Sequence, residues 1–128
     1  MTALPVRAGD LIVEVTEIRN DRGVIRLALH NDPEEFPEGK RFRGFDEPAN
    51  AGSIVVTMKD IPAGRYAAAL LHDENRDGGM DKSFIGWPLE GFGFSNDAPV
   101  RLSAPPFEAA AFDVPNEGTR ITIRVRYY

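Results

Sequence analysis

Apolar and polar residues alternate along several short stretches of the chain. From Leu11 to Ile18, the residues Leu11, Val13 and Val15 fall on one side of an extended backbone and Ile12, Glu14 and Thr16 on the other. A period of two marks a half-buried strand. Asn20, Asp21, Arg22 and Gly23 form a turn cluster. Val24 to His30 then reads as a returning strand, with Ile25, Leu27 and Leu29 on one face and Arg26 and His30 on the other. The pair predicts an antiparallel hairpin. Ser53 to Lys59 alternates again through Ile54, Val56 and Met58, and a turn follows at Asp60 to Gly64. Arg65 to His72 reads as strand despite its run of alanines, because it is too short for a stable helix before polar residues resume. The cleanest alternation is the last, with Ile121, Ile123, Val125 and Tyr127 facing away from Arg120, Arg124 and Arg126.

Between these strands the pattern fails. Residues 31–52 lack a clean period, and Pro33, Pro37, Gly39, Gly44, Pro48 and Gly52 forbid a long helix there. Phe36, Phe42 and Phe45 would tuck this connection against the body of the fold. Residues 73–106 form a second long connection, after which Ala110 to Val114 predicts a further short strand. Short strands at regular spacing with many turn residues predict an all-β protein, an antiparallel β-sandwich of about seven strands of immunoglobulin-like or prealbumin-like type. No repeat or linker interrupts residues 1–128, which read as a single domain.

Composition narrows the function classes. The 128 residues contain no cysteine, which excludes disulfides, thiolate metal sites and a cysteine nucleophile. The formal net charge of -5 argues against nucleic acid or an anionic membrane surface as partner. No stretch is long and apolar enough for a membrane span, and the start, Met1 to Arg7, has no signal-peptide pattern.

The strongest chemical motif is Asp73-x-Asn75-x-Asp77-Gly78-Gly79-x-Asp81. Calcium takes about six to eight oxygen ligands, and side chains at alternate positions can converge on one ion when the backbone curls round it. Asp73, Asn75 and Asp77 supply such oxygens, Gly78 permits the turn, Gly79 can offer its carbonyl, and Asp81 can bind directly or through water. The loop is no EF-hand, because its twelfth position is Phe84 where a bidentate Glu is required. Glu90 and Asp97 are the nearest further acids. The simpler reading is an ordinary polar turn, since Asn, Asp and Gly are turn residues.

Trp87, Phe92 and Phe94 lie among glycines and could stack on a glycan or anchor a partner protein. The plainer alternative is a satellite cluster that packs the connection down. His72 beside Asp73 could form an acid–base pair, although a satisfied structural histidine is the more economical reading. Carboxylates for a small carbohydrate-active hydrolase could be drawn from Asp73, Asp77, Glu90 and Asp97, but the spacing singles out no pair. With no nucleophile elbow, phosphate loop or dinucleotide fingerprint, the chain reads as non-enzymatic.

Ile61 to Asn75, continuing through Asp77, Gly78 and Asp81, resembles the bacterial domain-of-unknown-function family 2141 (DUF2141). Phe84 to Asn96 and Pro105 to Phe112 are similar to the family too, and Val15 to Asn20 with Gly23 fits its opening. The resemblance implies a periplasmic or secreted setting. The Pro62-x-Gly64-x-Tyr66 motif is similar to prealbumin-like and carboxypeptidase-regulatory-like sandwiches, a likeness that bears on fold alone. Three functional expectations result: a non-catalytic binding or accessory domain with a calcium-ordered loop, a small hydrolase, or a structural domain without metal.

Overall fold

The computed structural model describes residues 8–74, 91–100 and 103–127. The strands are β1 (Ala8–Ile18), β2 (Val24–His30), β3 (Arg43–Pro48), β4 (Gly52–Pro62), β5 (Gly64–Asp73), β6 (Gly91–Phe94), β7 (Ala111–Val114) and β8 (Thr119–Arg124). A 3-10 turn, Ser95–Asp97, and one helical turn, α1 (Phe107–Ala110), lie between β6 and β7. The strands form a three-stranded sheet in the order β4-β1-β8 and a five-stranded sheet in the order β3-β2-β5-β6, with β7 also paired to β5. The chain is an all-β sandwich.

The inner faces follow the alternation in the sequence. Leu11, Val13 and Val15 of β1, Val56 and Met58 of β4, and Ile123 of β8 meet Ile25, Leu27 and Leu29 of β2 and Tyr66, Ala68 and Leu70 of β5 in one core. The arginines of the last strand face outward as the pattern requires, with Arg120 and Arg124 exposed on either side of buried Ile123.

Strand pairing departs from a simple run of antiparallel hairpins in three ways. β1 and β2 are not a hairpin: β1 pairs β4 and β8, whereas β2 pairs β3 and β5. Nor do β4 and β5 pair, and Asp60 to Gly64 carries the chain from one sheet to the other. Alternation reveals which face of a strand is buried. It is the same whether the next strand lies alongside or stacks opposite. The third departure is that β1 and β8 run parallel, unlike the other strand pairs. A parallel pair needs a long crossover, and here the whole five-stranded sheet intervenes.

The two long connections also contain strands that the pattern did not reveal. β3 is a charged edge strand, and β6 has four residues, two of them glycine. Gly93 is required where the sheets close on each other, since a Cβ there would lie 2.7 Å from the Arg124 carbonyl oxygen. At this corner Phe92 and Arg126 exchange two backbone hydrogen bonds, of 3.0 and 2.8 Å.

A second cluster covers part of the outer face of the five-stranded sheet. Phe92, Phe94, Ala98, Phe107 and Ala110 pack there, with Phe36 against them. His30 lies beside this cluster, its ring 5.5 Å from that of Phe36 in an edge-on contact. Among the described residues, neither imidazole nitrogen has a partner within hydrogen-bonding geometry. Burial pushes the His30 pKa below its usual value; nearby backbone at Pro37 and Lys40 and the Glu35 carboxylate oppose this, and Arg41 reinforces it. A lowered pKa means that the unfolded chain takes up a proton that the folded chain refuses. Stability is therefore level above the unfolded value of about 6.5 and falls as pH drops below it, by about 1.4 kcal/mol per pH unit until the folded state also protonates. His30→Leu is expected to remove this component. Urea midpoints of the two proteins between neutral and mildly acidic pH should diverge as acid is added, with the variant the less sensitive.

Candidate functional site

The acidic motif begins at the end of β5. Side chains alternate along a strand, so His72 and Asp73 point to opposite sheet faces. They are therefore not an acid–base pair. His72 is fully buried on the inner side, where both ring nitrogens are engaged. Nε2 lies 2.7 Å from the Arg22 carbonyl oxygen and must donate to it. Nδ1 lies 2.8 Å from the Tyr127 hydroxyl and shares a hydrogen bond with it. Tyr127 in turn accepts the Arg19 backbone N–H at 3.1 Å. His72 thus ties β5 to the turn after β1 and to the end of the chain, which is a structural task.

Asp73 faces the outer side, with its side chain fully buried. Arg26 of β2 donates from Nε to Asp73 Oδ2 at 2.8 Å and from a terminal nitrogen to Asp46 Oδ2 of β3 at 2.6 Å. One guanidinium therefore joins three neighbouring strands, and the hydrogen bond to Asp73 is the chief reason that its pKa is raised. Glu74, the next residue, is bound by the Arg19 guanidinium and by the Asn20 amide. Burial works to raise the Glu74 carboxyl, but these hydrogen bonds outweigh it and hold the group below its usual range. The Arg19 guanidinium also lies 4.3 Å from the centre of the Tyr127 ring. Gly23 makes the close approach of the β1–β2 turn possible, having φ of +68° and lying where a Cβ would fall 1.9 Å from the Asp73 carbonyl oxygen.

Of the residues expected to hold calcium, only Asp73 lies among those described; Asn75, Asp77, Gly79 and Asp81 lie outside them. No group of three or more acidic or histidine side chains suited to a metal occurs among the described residues. Oδ2 of Asp73 accepts the Arg26 Nε–H. Asp97 accepts the Arg124 backbone N–H at 3.0 Å and so braces the 3-10 turn against β8. Glu90 lies outside the described residues, as does Trp87. Phe92 and Phe94 are 4% and 9% exposed, so they pack the fold and offer no stacking surface.

Arg26 and Arg19 were not among the residues singled out from sequence. Arg26 could have been noticed, since it shares a strand face with Val24, Ala28 and His30, all apolar or buried. A cation on such a face needs an acidic partner.

Residues 13–122 match the family described as an uncharacterized protein conserved in bacteria (DUF2141). The chain belongs to this family. No curated protein matches it, and no solved structure does. The family covers most of the sandwich, from the core of β1 to the middle of β8. No helix among the described residues of this DUF2141 domain is long and apolar enough to cross a membrane.

Proposed function

We propose that this DUF2141 domain is a non-catalytic binding or accessory module, periplasmic or secreted, whose loop from Asp73 to Asp81 is ordered by calcium. The observation that carries the reading is the run of oxygen-bearing side chains at alternate positions, whose first member lies at the end of a central strand. A hard cation suits carboxylate, amide and carbonyl oxygens together. Its ligand would be a protein or glycan met by the ordered loop, with Trp87 as the aromatic contact.

A second reading is favoured by a specific observation. Asp73 and Glu74 already have cationic partners in Arg26 and Arg19, so the root of the loop is neutralised by the chain itself. On that reading the domain is structural and the motif is a polar turn.

Calcium titration followed by thermal melting separates the two. An ion that binds only the folded state stabilises it by about 2.7 kcal/mol at a hundredfold excess over its dissociation constant. Calcium should raise the melting temperature and chelator should lower it. Magnesium should do less, because it demands a tighter octahedral shell. Asp77→Ala should abolish the response while the sandwich stays folded. Superimposable melting curves with calcium and with chelator would sink the metal reading.

A further inference from the structure

Among the described residues, the outer edge of β4 is open. β4 pairs with β1 on one side, and no described residue pairs with it on the other. Its register with β1 is unbroken from Ile54, opposite Val15, to Met58, opposite Leu11. Beyond that, the ladder shifts at a bulge where Asp60 has φ of +58°. Arg43, reaching across from β3, donates to the carbonyl oxygens of Lys59 at 3.0 Å and Asp60 at 3.2 Å. In β1 the Thr16 carbonyl accepts the Val125 N–H and so points to β8, which turns the backbone groups of Val15 and Val13 toward Ile54 and Val56 of β4. In an antiparallel strand the N–H and C=O of one residue point the same way, and the direction reverses at each step. Ser53, Val55 and Thr57 must then direct their backbone donors and acceptors outward. Arg43 closes the far end of this edge, and among the described residues nothing pairs with the rest.

Edge strands are commonly guarded by proline, bulges or inward charges. From Ile54 to Met58, between the ladder shift at Gly52 and the one at Asp60, there is none of these, and Val55 in the middle is 55% exposed, the most exposed large apolar side chain among the described residues. The segment is also self-complementary. Laid antiparallel on a second copy with Val55 on the two-fold axis, Ser53 faces Thr57, Val55 faces Val55, and Thr57 faces Ser53. Each of these pairs can exchange two N–H···O=C bonds, giving about six in all. In the same register Lys59 falls opposite Ala51 of the other copy. The Ala51 N–H is held by the Asp21 carboxylate at 2.6 Å. The Lys59 ammonium of each copy is thereby brought to an exposed carboxylate of the other.

We propose that the β4 edge is a self-association surface, at which two copies join antiparallel about Val55 into one continuous six-stranded sheet. The symmetry is isologous, so the association closes at the dimer. One strand pair buries little area, so the association is expected to be weak.

Sedimentation velocity over a wide concentration range, with amide hydrogen exchange read by NMR, tests this on the full chain. The wild type should pass from monomer to dimer as concentration rises, and the Ser53, Val55 and Thr57 amides should gain protection together. Val55→Lys sets two like charges against each other on the axis and should weaken the dimer by about tenfold or more. Its melting temperature at low concentration, where both proteins are monomers, should match the wild type. Lys59→Glu should weaken association, and Lys59→Glu with Asp21→Lys should restore it. A dimer indifferent to Val55→Lys, or a double variant as weak as Lys59→Glu alone, overturns the assignment. So does a chain that remains monomeric at millimolar concentration with its edge amides unprotected, which would leave the edge to a strand of another protein.

Discussion

Ile123→Asp is expected to unfold the domain, whereas Arg124→Ser, one residue on, should change stability by less than about 1 kcal/mol. Ile123 is fully buried and lies beside Val15 in the parallel pairing of β8 with β1. The core it belongs to, with Val13, Val15 and Leu27, offers no hydrogen-bond donor to a carboxylate from those side chains. Loss of the isoleucine side chain alone costs about 2–5 kcal/mol. Burial of an unpaired carboxylate adds several kcal/mol more, and the total approaches the whole stability of a typical domain, about 5–15 kcal/mol. Arg124 differs because its side chain is exposed, and the contact it makes through Asp97 uses its backbone N–H, which serine retains. Denaturant unfolding followed by near-ultraviolet circular dichroism checks both variants. Greater damage from the arginine change would mean that β8 is out of register by one residue, since a slip of one exchanges the two faces.

Ile123 and Arg124 also show what kind of information the chain carries on its surface. A strand buried on one side must alternate, and β1, β4 and β8 do, so their inner residues could be read directly. β5 is flanked by β2 on one side and by β6 and β7 on the other, and its outer face is partly covered by the Phe92 and Phe107 cluster. Buried on both faces, it loses alternation, and its alanines are the small residues that close packing on two sides demands. β3 escaped notice for the opposite reason: as an edge strand bearing Arg43, Asp46 and Glu47, it buries little. Strand pairing was the least legible feature. The turn after β1 and the turn after β4 contain hairpin residues, yet both cross between sheets, because short turns and alternating faces fit either route. At the candidate site, the acidic motif was visible as a pattern of oxygen atoms, but the residues that neutralise its root were not. Arg19 and Arg26 are distant from Glu74 and Asp73 in sequence and meet them only because β2 lies against β5 and the turn before β2 folds over its end.

Arg26→Met is expected to cost on the order of 3 kcal/mol, the lower end of what removal of one partner from a buried ion pair costs. Asp73 is fully buried, and the substitution takes away the guanidinium that donates to its Oδ2. The lower end applies because Arg26 itself is partly open to solvent, with 28% of its side chain exposed. Asp46 gives the control. It bonds the same guanidinium but is half exposed, so Asp46→Ala should cost less than about 1 kcal/mol. The Arg26 variant also decides between the two functional readings when it is unfolded in calcium and in chelator. If Asp73 belongs to a metal loop, removal of a neighbouring positive charge makes its carboxylate a better ligand, and calcium supplies the counter-charge that the guanidinium no longer provides. Calcium should then recover more stability in Arg26→Met than in the wild type, and chelator should deepen the loss. If Arg26 is the cation that this carboxylate serves, the loss is the same in both solutions, and the acidic stretch after β5 is a turn that the strand beside it holds in place.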